Sequence, residues 1–226
     1  MTHPTLAAAC GALGRFDPER LDAIAACLPR ASRTVLDEPE CCLRIDRQPL
    51  RWSAGGDDGV CWAEQPLATA RPRDLDAAEA LGPGVGGRPG RRLLHASASG
   101  AAPLYVMRDG DGEACYFAST VDALARSAPR RLAIDWEAWA SILTLGYPIG
   151  ARTPFREIAR LEPGCRLVPG SGGGGHGGRG GGAASWALRE EWSWERITPE
   201  RTVEDAALDV IDAMRTATRS LPGGPL

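Results

Sequence analysis

With 226 residues, 43% of them hydrophobic, the chain can bury one sizeable core and carry a small appendage, and a formal charge of −3 at pH 7 excludes a nucleic-acid partner held by bulk charge. All 26 basic residues are arginine and neither lysine nor asparagine occurs, a composition that reads as coding bias more than as function.

The first clear element is a helix. Asp17 is suited to the N-cap, Pro18 to the first helical position, and Leu21, Ile24, Ala25 and Leu28 share one face until Pro29 stops the run. Between residues 34 and 63 apolar residues alternate in short pieces: Cys41, Leu43 and Ile45, then Leu50 and Trp52, then Val60 and Trp62. Gln48-Pro49 and Gly55-Gly56-Asp57-Asp58-Gly59 separate them, which predicts an antiparallel meander. Residues 68–92, rich in Arg, Pro and Gly, are expected to hold at most one short helix, over 74–81. Strands resume at 93–97, 103–107 and 114–118, with Asp109-Gly110-Asp111-Gly112 as a hairpin turn.

The stretch 134–165, IDWEAWASILTLGYPIGARTPFREIARLEPGC, begins as a capped helix. Asp135 is its N-cap, Ile134 and Trp139 are placed for a hydrophobic staple, and Trp136, Trp139, Ala140 and Leu143 lie on one stripe. Gly146 ends it as a left-handed C-terminal residue would, and Pro148, Pro154 and Pro163-Gly164 turn the chain into the apolar run 165–168. The two tryptophans are expected in the core, and His95, inside an apolar run, is expected to be a satisfied strand residue. Residues 171–182, SGGGGHGGRGGG, read as a flexible hairpin insertion; a phosphate-binding loop would need an Asp-Ser after its glycines. The last element, 202–220, has Val203, Ala206, Ala207, Val210, Ile211, Met214 and Ala217 on one helical stripe.

The seven cysteines are odd in number and lie in apolar or alternating sequence with no CxxC pair, which predicts buried reduced thiols and no metal site. No basic n-region opens the chain and no segment is long enough to span a bilayer, so a cytoplasmic protein without a membrane partner is expected.

The succession Leu145-Gly146-Tyr147, Gly150, Arg152-Thr153-Pro154-Phe155, Ile158-Ala159-Arg160-Leu161 and Pro163-Gly164 resembles the end of the glutaminase half of asparagine synthetase and its relatives. Gly100-Ala101-Ala102-Pro103-Leu104-Tyr105 is similar to the family's Gly-x-Lys-Pro-Leu-Tyr strand, with Ser97 where Asp is usual and Ala102 where Lys is. Phe117-Ala118-Ser119, Val121 and Leu124 are similar to its Phe-Ala-Ser-Glu-x-x-Ala-Leu, with Thr120 in place of Glu. Glu191-Trp192-Ser193-Trp194 falls where the family precedes its linker. Coverage is good from about residue 94 to 194.

The resemblance implies an α+β fold, a four-layer α/β/β/α sandwich of antiparallel strands of the Ntn-hydrolase glutaminase type. It would span 1–196, with 197–226 as the linker and first helix of an ATP-dependent synthetase domain missing from this chain. ATP and magnesium are implied for that domain and no cofactor for this one. The partner would be a synthetase domain, a separate synthetase subunit or a second copy of the chain. Active relatives use an N-terminal cysteine as nucleophile, whereas residue 2 here is Thr2 and His3-Pro4 follow. Cys10-Gly11-Ala12-Leu13-Gly14-Arg15-Phe16 resembles the family's Cys-Gly-Ile-x-Gly-x-Phe start. Processing before Cys10 would make it a glutamine or small-amide hydrolase; otherwise Cys10 is the buried remnant of that strand. The family's Arg-Gly-Pro-Asp is absent, Pro29-Arg30-Ala31-Ser32 standing nearest, and its Asn-Gly oxyanion donor is impossible without asparagine. Gly56-Asp57-Asp58 reads as a turn. The expectation is therefore an inert, degenerate scaffold with no catalytic, cofactor-binding or metal residue of its own. Relatives with such a dead half include enzymes that close a β-lactam or a lasso-peptide ring.

Overall fold

Alternation of apolar and polar side chains, broken by glycine turns, builds two sheets in the unit Met1–Trp192. The computed structural model describes residues 8–28, 33–46, 48–62, 72–75, 78, 82–100, 102–110, 112–170, 186–190, 202, 207, 208, 211, 212 and 215. The first sheet contains β1 (Ala9–Gly14), β2 (Arg33–Glu38), β3 (Cys41–Ile45), β8 (Leu104–Arg108), β9 (Ala114–Ala118) and β10 (Ile158–Leu161), in the order β10-β8-β9-β1-β3-β2. The second contains β4 (Leu50–Ala54), β5 (Asp57–Cys61), β6 (Gly84–Arg88), β7 (Arg91–His95), β11 (Cys165–Pro169) and β12 (Trp186–Glu190), in the order β12-β11-β7-β6-β5-β4. Every pairing is antiparallel. With the helices α1 (Pro18–Ala26), α2 (Val121–Arg126) and α3 (Trp136–Leu145), this is an α+β architecture of two sheets and few helices.

The period-two pattern sorts each strand between two clusters. In β1, Ala9 and Leu13 join the cluster between the sheets, where Leu43, Ile45 and Phe117 meet Trp62, Val85, Leu94 and Leu167. Cys10 and Ala12 point the other way, under Leu21 and Ile24 of α1 and Leu124 of α2. Tyr116 of β9 belongs to this second cluster, and its hydroxyl accepts the Asp17 N–H at 2.8 Å, tying the start of α1 to the sheet. A third cluster, Trp52, Cys61, Leu75 and Ala78, lies on the second sheet. Alternation along β5 puts Cys61 opposite Val60, so this cluster occupies the face turned away from the first sheet.

The expected helix starts are found: Asp17 caps α1 through the Glu19 N–H with Pro18 behind it, and Asp135 caps α3 through the N–H groups of Glu137 and Ala138. Gly146 closes α3 at φ 84°, a conformation only glycine adopts at little cost. Thr120, where the resemblance would have glutamate, caps α2 through the Ala123 N–H.

Several expectations need correction. The meander over 34–63 is two hairpins in different sheets, because the chain crosses from β3 to β4 through Gln48-Pro49, where proline withholds a ladder donor. The turn between β4 and β5 is Gly55-Gly56 alone, both at positive φ, and Asp57, Asp58 and Gly59 already belong to β5. Within 68–92, Leu75 and Ala78 are helical as expected, but Gly84–Arg88 forms the unexpected strand β6 and β7 starts at Arg91. The segment 158–161 is also a strand, β10, paired with β8.

The Gly-rich insertion 171–182 lies outside the described residues, as do Thr2, His3, Pro29-Arg30-Ala31-Ser32, Trp192 and Trp194. The strands flanking the insertion pair as a hairpin, Pro169 opposite Trp186. In the second unit, Ser193–Leu226, the residues 207, 208, 211, 212 and 215 are helical, Arg215 pairs with Asp212 at 3.8 Å, and Leu208 and Ile211 are exposed. No helix among the described residues is long and apolar enough to cross a membrane.

Candidate functional site

Cys10 sits in mid-sheet, opposite Arg44 on β3 and Ala118 on β9. Its side chain lies beneath α1 and α2 and is 0% exposed. Burial pushes the thiol up to about 12, with Cys42 adding to the shift and Arg44 opposing it. The chain runs on through Ala9, whose N–H donates to Ser119 Oγ at 3.1 Å and whose carbonyl accepts the Ser119 N–H at 2.8 Å. Attack on an amide needs a thiolate with access to substrate. At this position the group is protonated and sealed.

The acidic pair Asp57 and Asp58 is taken up by arginines. Asp57 meets Arg88 at 3.1 Å, and Asp58 meets Arg92 Nη1 at 2.5 Å. Arg92, 4% exposed, also grips both oxygens of Glu38 across the sheets, Nε at 3.0 Å and Nη2 at 2.5 Å, and reaches the Asp58 and Gly87 carbonyls. The Glu38 hydrogen bonds raise its affinity for the proton further, against its burial. The guanidinium is fully committed to bolting β2 of one sheet to β5 and β6 of the other. It has nothing left for a substrate.

His95 corrects a second expectation. It ends β7 fully buried, but neither ring nitrogen has a well-formed hydrogen bond among the described residues. Its ring lies over Gly84, where an added Cβ would meet Nε2 at 2.5 Å. Burial, reinforced by the charge of Arg166 and opposed by the Ala96 backbone, pushes it down to about 3. It is a neutral imidazole with no base function at ordinary pH.

The stretch 134–165 is a clasp. Arg152 reaches back to Asp135 at 3.2 Å and pairs with Glu137, locking the loop to the first turn of α3. Thr153, 1% exposed, accepts the Phe155 N–H at 3.2 Å and donates its hydroxyl to the Ile158 carbonyl at 2.7 Å. Ile134 bridges Phe155, and Arg160 holds the Gly100 carbonyl at 3.1 Å. Pro163 lies against Gly100, where a side chain would come within 2.6 Å of its ring. These residues have architectural partners.

What the clasp presents is open. Ala138 is the only buried residue of α3. Trp136 is 68% exposed, Leu143 79% and Tyr147 61%, with Trp139, Leu145 and Ile149 also exposed. The tryptophans expected in the core are therefore at the surface. The face that packs inward is the small one centred on Ala138, and the large apolar residues at i, i+3 and i+7 form the outer stripe. A sequence signal existed for this: apolar residues occupy more of the helix circumference than one buried face can absorb. Contiguous exposed apolar patches are uncommon on monomeric soluble proteins.

Among the described residues no group of three His, Cys, Asp or Glu side chains is placed to hold a metal ion. No known protein-family model matches the chain, and no curated protein matches its sequence significantly.

Proposed function

We propose that this chain is a catalytically inert, glutaminase-like scaffold domain of an asparagine synthetase-like, ATP-dependent amide-bond-forming protein, folded as a four-layer α/β/β/α sandwich of the Ntn-hydrolase type. Three features support the reading. Helices α1 and α2 cover one sheet, and the helical residues 75 and 78 cover the far face of the other. The motifs of 134–165 fill architectural roles in one continuous clasp. The cysteine that resembles the family nucleophile is enclosed and protonated. The observation that carries the proposal is the stripe of Trp136, Trp139 and Leu143, exposed and held by the clasp.

On this reading the stripe docks a synthetase, in the same polypeptide or separately encoded. That partner would adenylate a carboxylate with ATP and magnesium, and an amine would displace AMP. Burying a tryptophan or leucine side chain contributes roughly 1.5–3 kcal/mol, so a few such residues suffice for a specific contact. The test begins with the coding sequence beyond codon 226 and in the adjoining genes, sought for a strand followed by Ser-Gly-Gly-x-Asp-Ser. The product of that frame, co-expressed with this chain, should copurify with it, and Trp136→Ser with Leu143→Asp should weaken the pair by at least tenfold. Absence of any such frame, or a pair indifferent to both substitutions, sinks the reading. Glutamine hydrolysis that disappears in Cys10→Ala would establish the hydrolase instead.

A further inference from the structure

We propose that Cys61 Sγ and His95 Nε2 form a buried two-coordinate site for a soft monovalent cation, Cu(I), on the face of the second sheet turned away from the first. The site is independent of the scaffold reading and stands or falls without it.

The register of the sheet brings the two donors together. Cys61 on β5 pairs with Gly84 on β6, and Gly84 pairs with His95 on β7, so all three share one face. Cys61 belongs to the cluster of Trp52 and Ala78 on that face. The glycine in the middle is what lets the outer two meet. A Cβ added at Gly84 would stand 2.5 Å from His95 Nε2 and 2.8 Å from Cys61 Cα, so Nε2 lies no farther from that Cα than those two distances laid end to end. The imidazole therefore crosses β6 and points at the root of the Cys61 side chain. Both side chains are 0% exposed, the thiol is free, and neither ring nitrogen has a well-formed hydrogen bond among the described residues.

A ring that only filled space would be better made of carbon, because a buried imidazole keeps an N–H and a lone pair whose loss of water goes uncompensated. Thiolate and imidazole together are donors that soft first-row cations select. Ligand number and charge choose among those cations. Structural zinc takes four ligands, and no third His, Cys, Asp or Glu joins the pair among the described residues, whereas Cu(I) is satisfied by two. Thiolate and Cu(I) are neutral together, so the apolar cover of Trp52, Leu75 and Ala78 meets no net charge. A divalent ion would leave one, with Arg166 already in register beside His95. On binding, the Cys61 S–H bond gives way to an S–Cu bond and its proton passes to solvent, while Nε2 donates its lone pair and Cu(I) keeps its oxidation state.

The test refolds the full chain from urea without oxygen and with Cu(I) present, which loads a site beneath a closed cover, and then titrates it with a chromogenic Cu(I) chelator. One ion per chain should resist the chelator, and Cys61→Ala or His95→Leu should each weaken its retention at least tenfold. Cys27→Ser, which removes the partly exposed thiol, should leave retention unchanged. X-ray absorption of the loaded wild type should show one sulfur and one nitrogen around the copper, a readout that needs no variant to fold. Failure to retain one ion, a shell of sulfur alone, or retention indifferent to His95→Leu overturns the site. Zinc(II) held as tightly as Cu(I) overturns the monovalent assignment.

Discussion

His95 makes the stability of this fold depend on pH through one identifiable atom group. An unfolded histidine takes up a proton near 6.5, whereas the buried ring is pushed down to about 3. Between those values the unfolded chain binds more protons than the folded one. The contribution of His95 is therefore complete above about pH 6.5 and is lost as pH falls from there toward 3, at up to ~1.4 kcal/mol per pH unit. Carboxylates titrate in the same range, so the comparison that isolates the histidine is with His95→Leu. Leucine removes two buried nitrogens that lack well-formed hydrogen bonds, so the variant should lie within about 1 kcal/mol of wild type at pH 7. Urea unfolding at pH 7 and 5.5 should show wild type losing about 1 kcal/mol more than His95→Leu. Equal losses would mean that the ring is solvated or finds an acceptor.

At the scale of elements, β4, β5 and β6 hold together by fitting one indole against two glycines. A Cβ added at Gly59 would fall 2.6 Å from the Trp52 ring, and one at Gly86 would fall 2.7 Å from it. Gly59→Ala should therefore destabilise by about 1–3 kcal/mol, the usual cost of overpacking, and the penalty should shrink to a few tenths in a Trp52→Leu background. A double-mutant cycle by denaturant unfolding reads the coupling, and a penalty that persists without the indole would place the strain in the backbone.

The same contact explains what the sequence conceals. Three of the five residues of β6 are glycine, and glycine ordinarily announces a turn, so the strand is illegible until its cover is known. The start of α1 and both ends of α3 were legible because Asp17-Pro18, Asp135 and Gly146 act on their own neighbours, whereas α1 ends at Ala26, short of the expected stop at Pro29. The facing of α3 was not legible, since a stripe of tryptophan and leucine reads alike whether it meets a core or an absent partner. Arg92 was equally hidden, its partners Glu38 and Asp58 lying 54 and 34 residues away in the chain. Local chemistry is written locally, whereas glycine under indole and arginine across sheets are facts of the assembled fold.

For the molecule as a whole, the cysteines sample every layer of packing. Cys41, Cys115 and Cys165 lie between the sheets, Cys10 and Cys42 between the first sheet and its helices, and Cys61 beneath Trp52. None of the seven is in a disulfide, these six are buried, and Cys27 is partly exposed. Burial also pushes Cys10, Cys41, Cys61 and Cys115 up to about 12, so they lack both access and thiolate character. An aromatic disulfide reagent should therefore label one thiol of the native protein quickly and the other six only through opening. Even about 5 kcal/mol of stability slows that opening route by roughly a thousandfold or more. Peptide mapping of the labelled protein decides more than the count. If the two sheets and their helices unfold as one cooperative unit, the six should appear together. If the third cluster opens first, Cys61 should precede the rest, because among the described residues Trp52, Cys61, Leu75 and Ala78 form a smaller cluster than the other two. Early labelling of Cys10 with Cys27 would contradict the enclosed strand on which the inert-scaffold reading depends, and would favour the hydrolase over it.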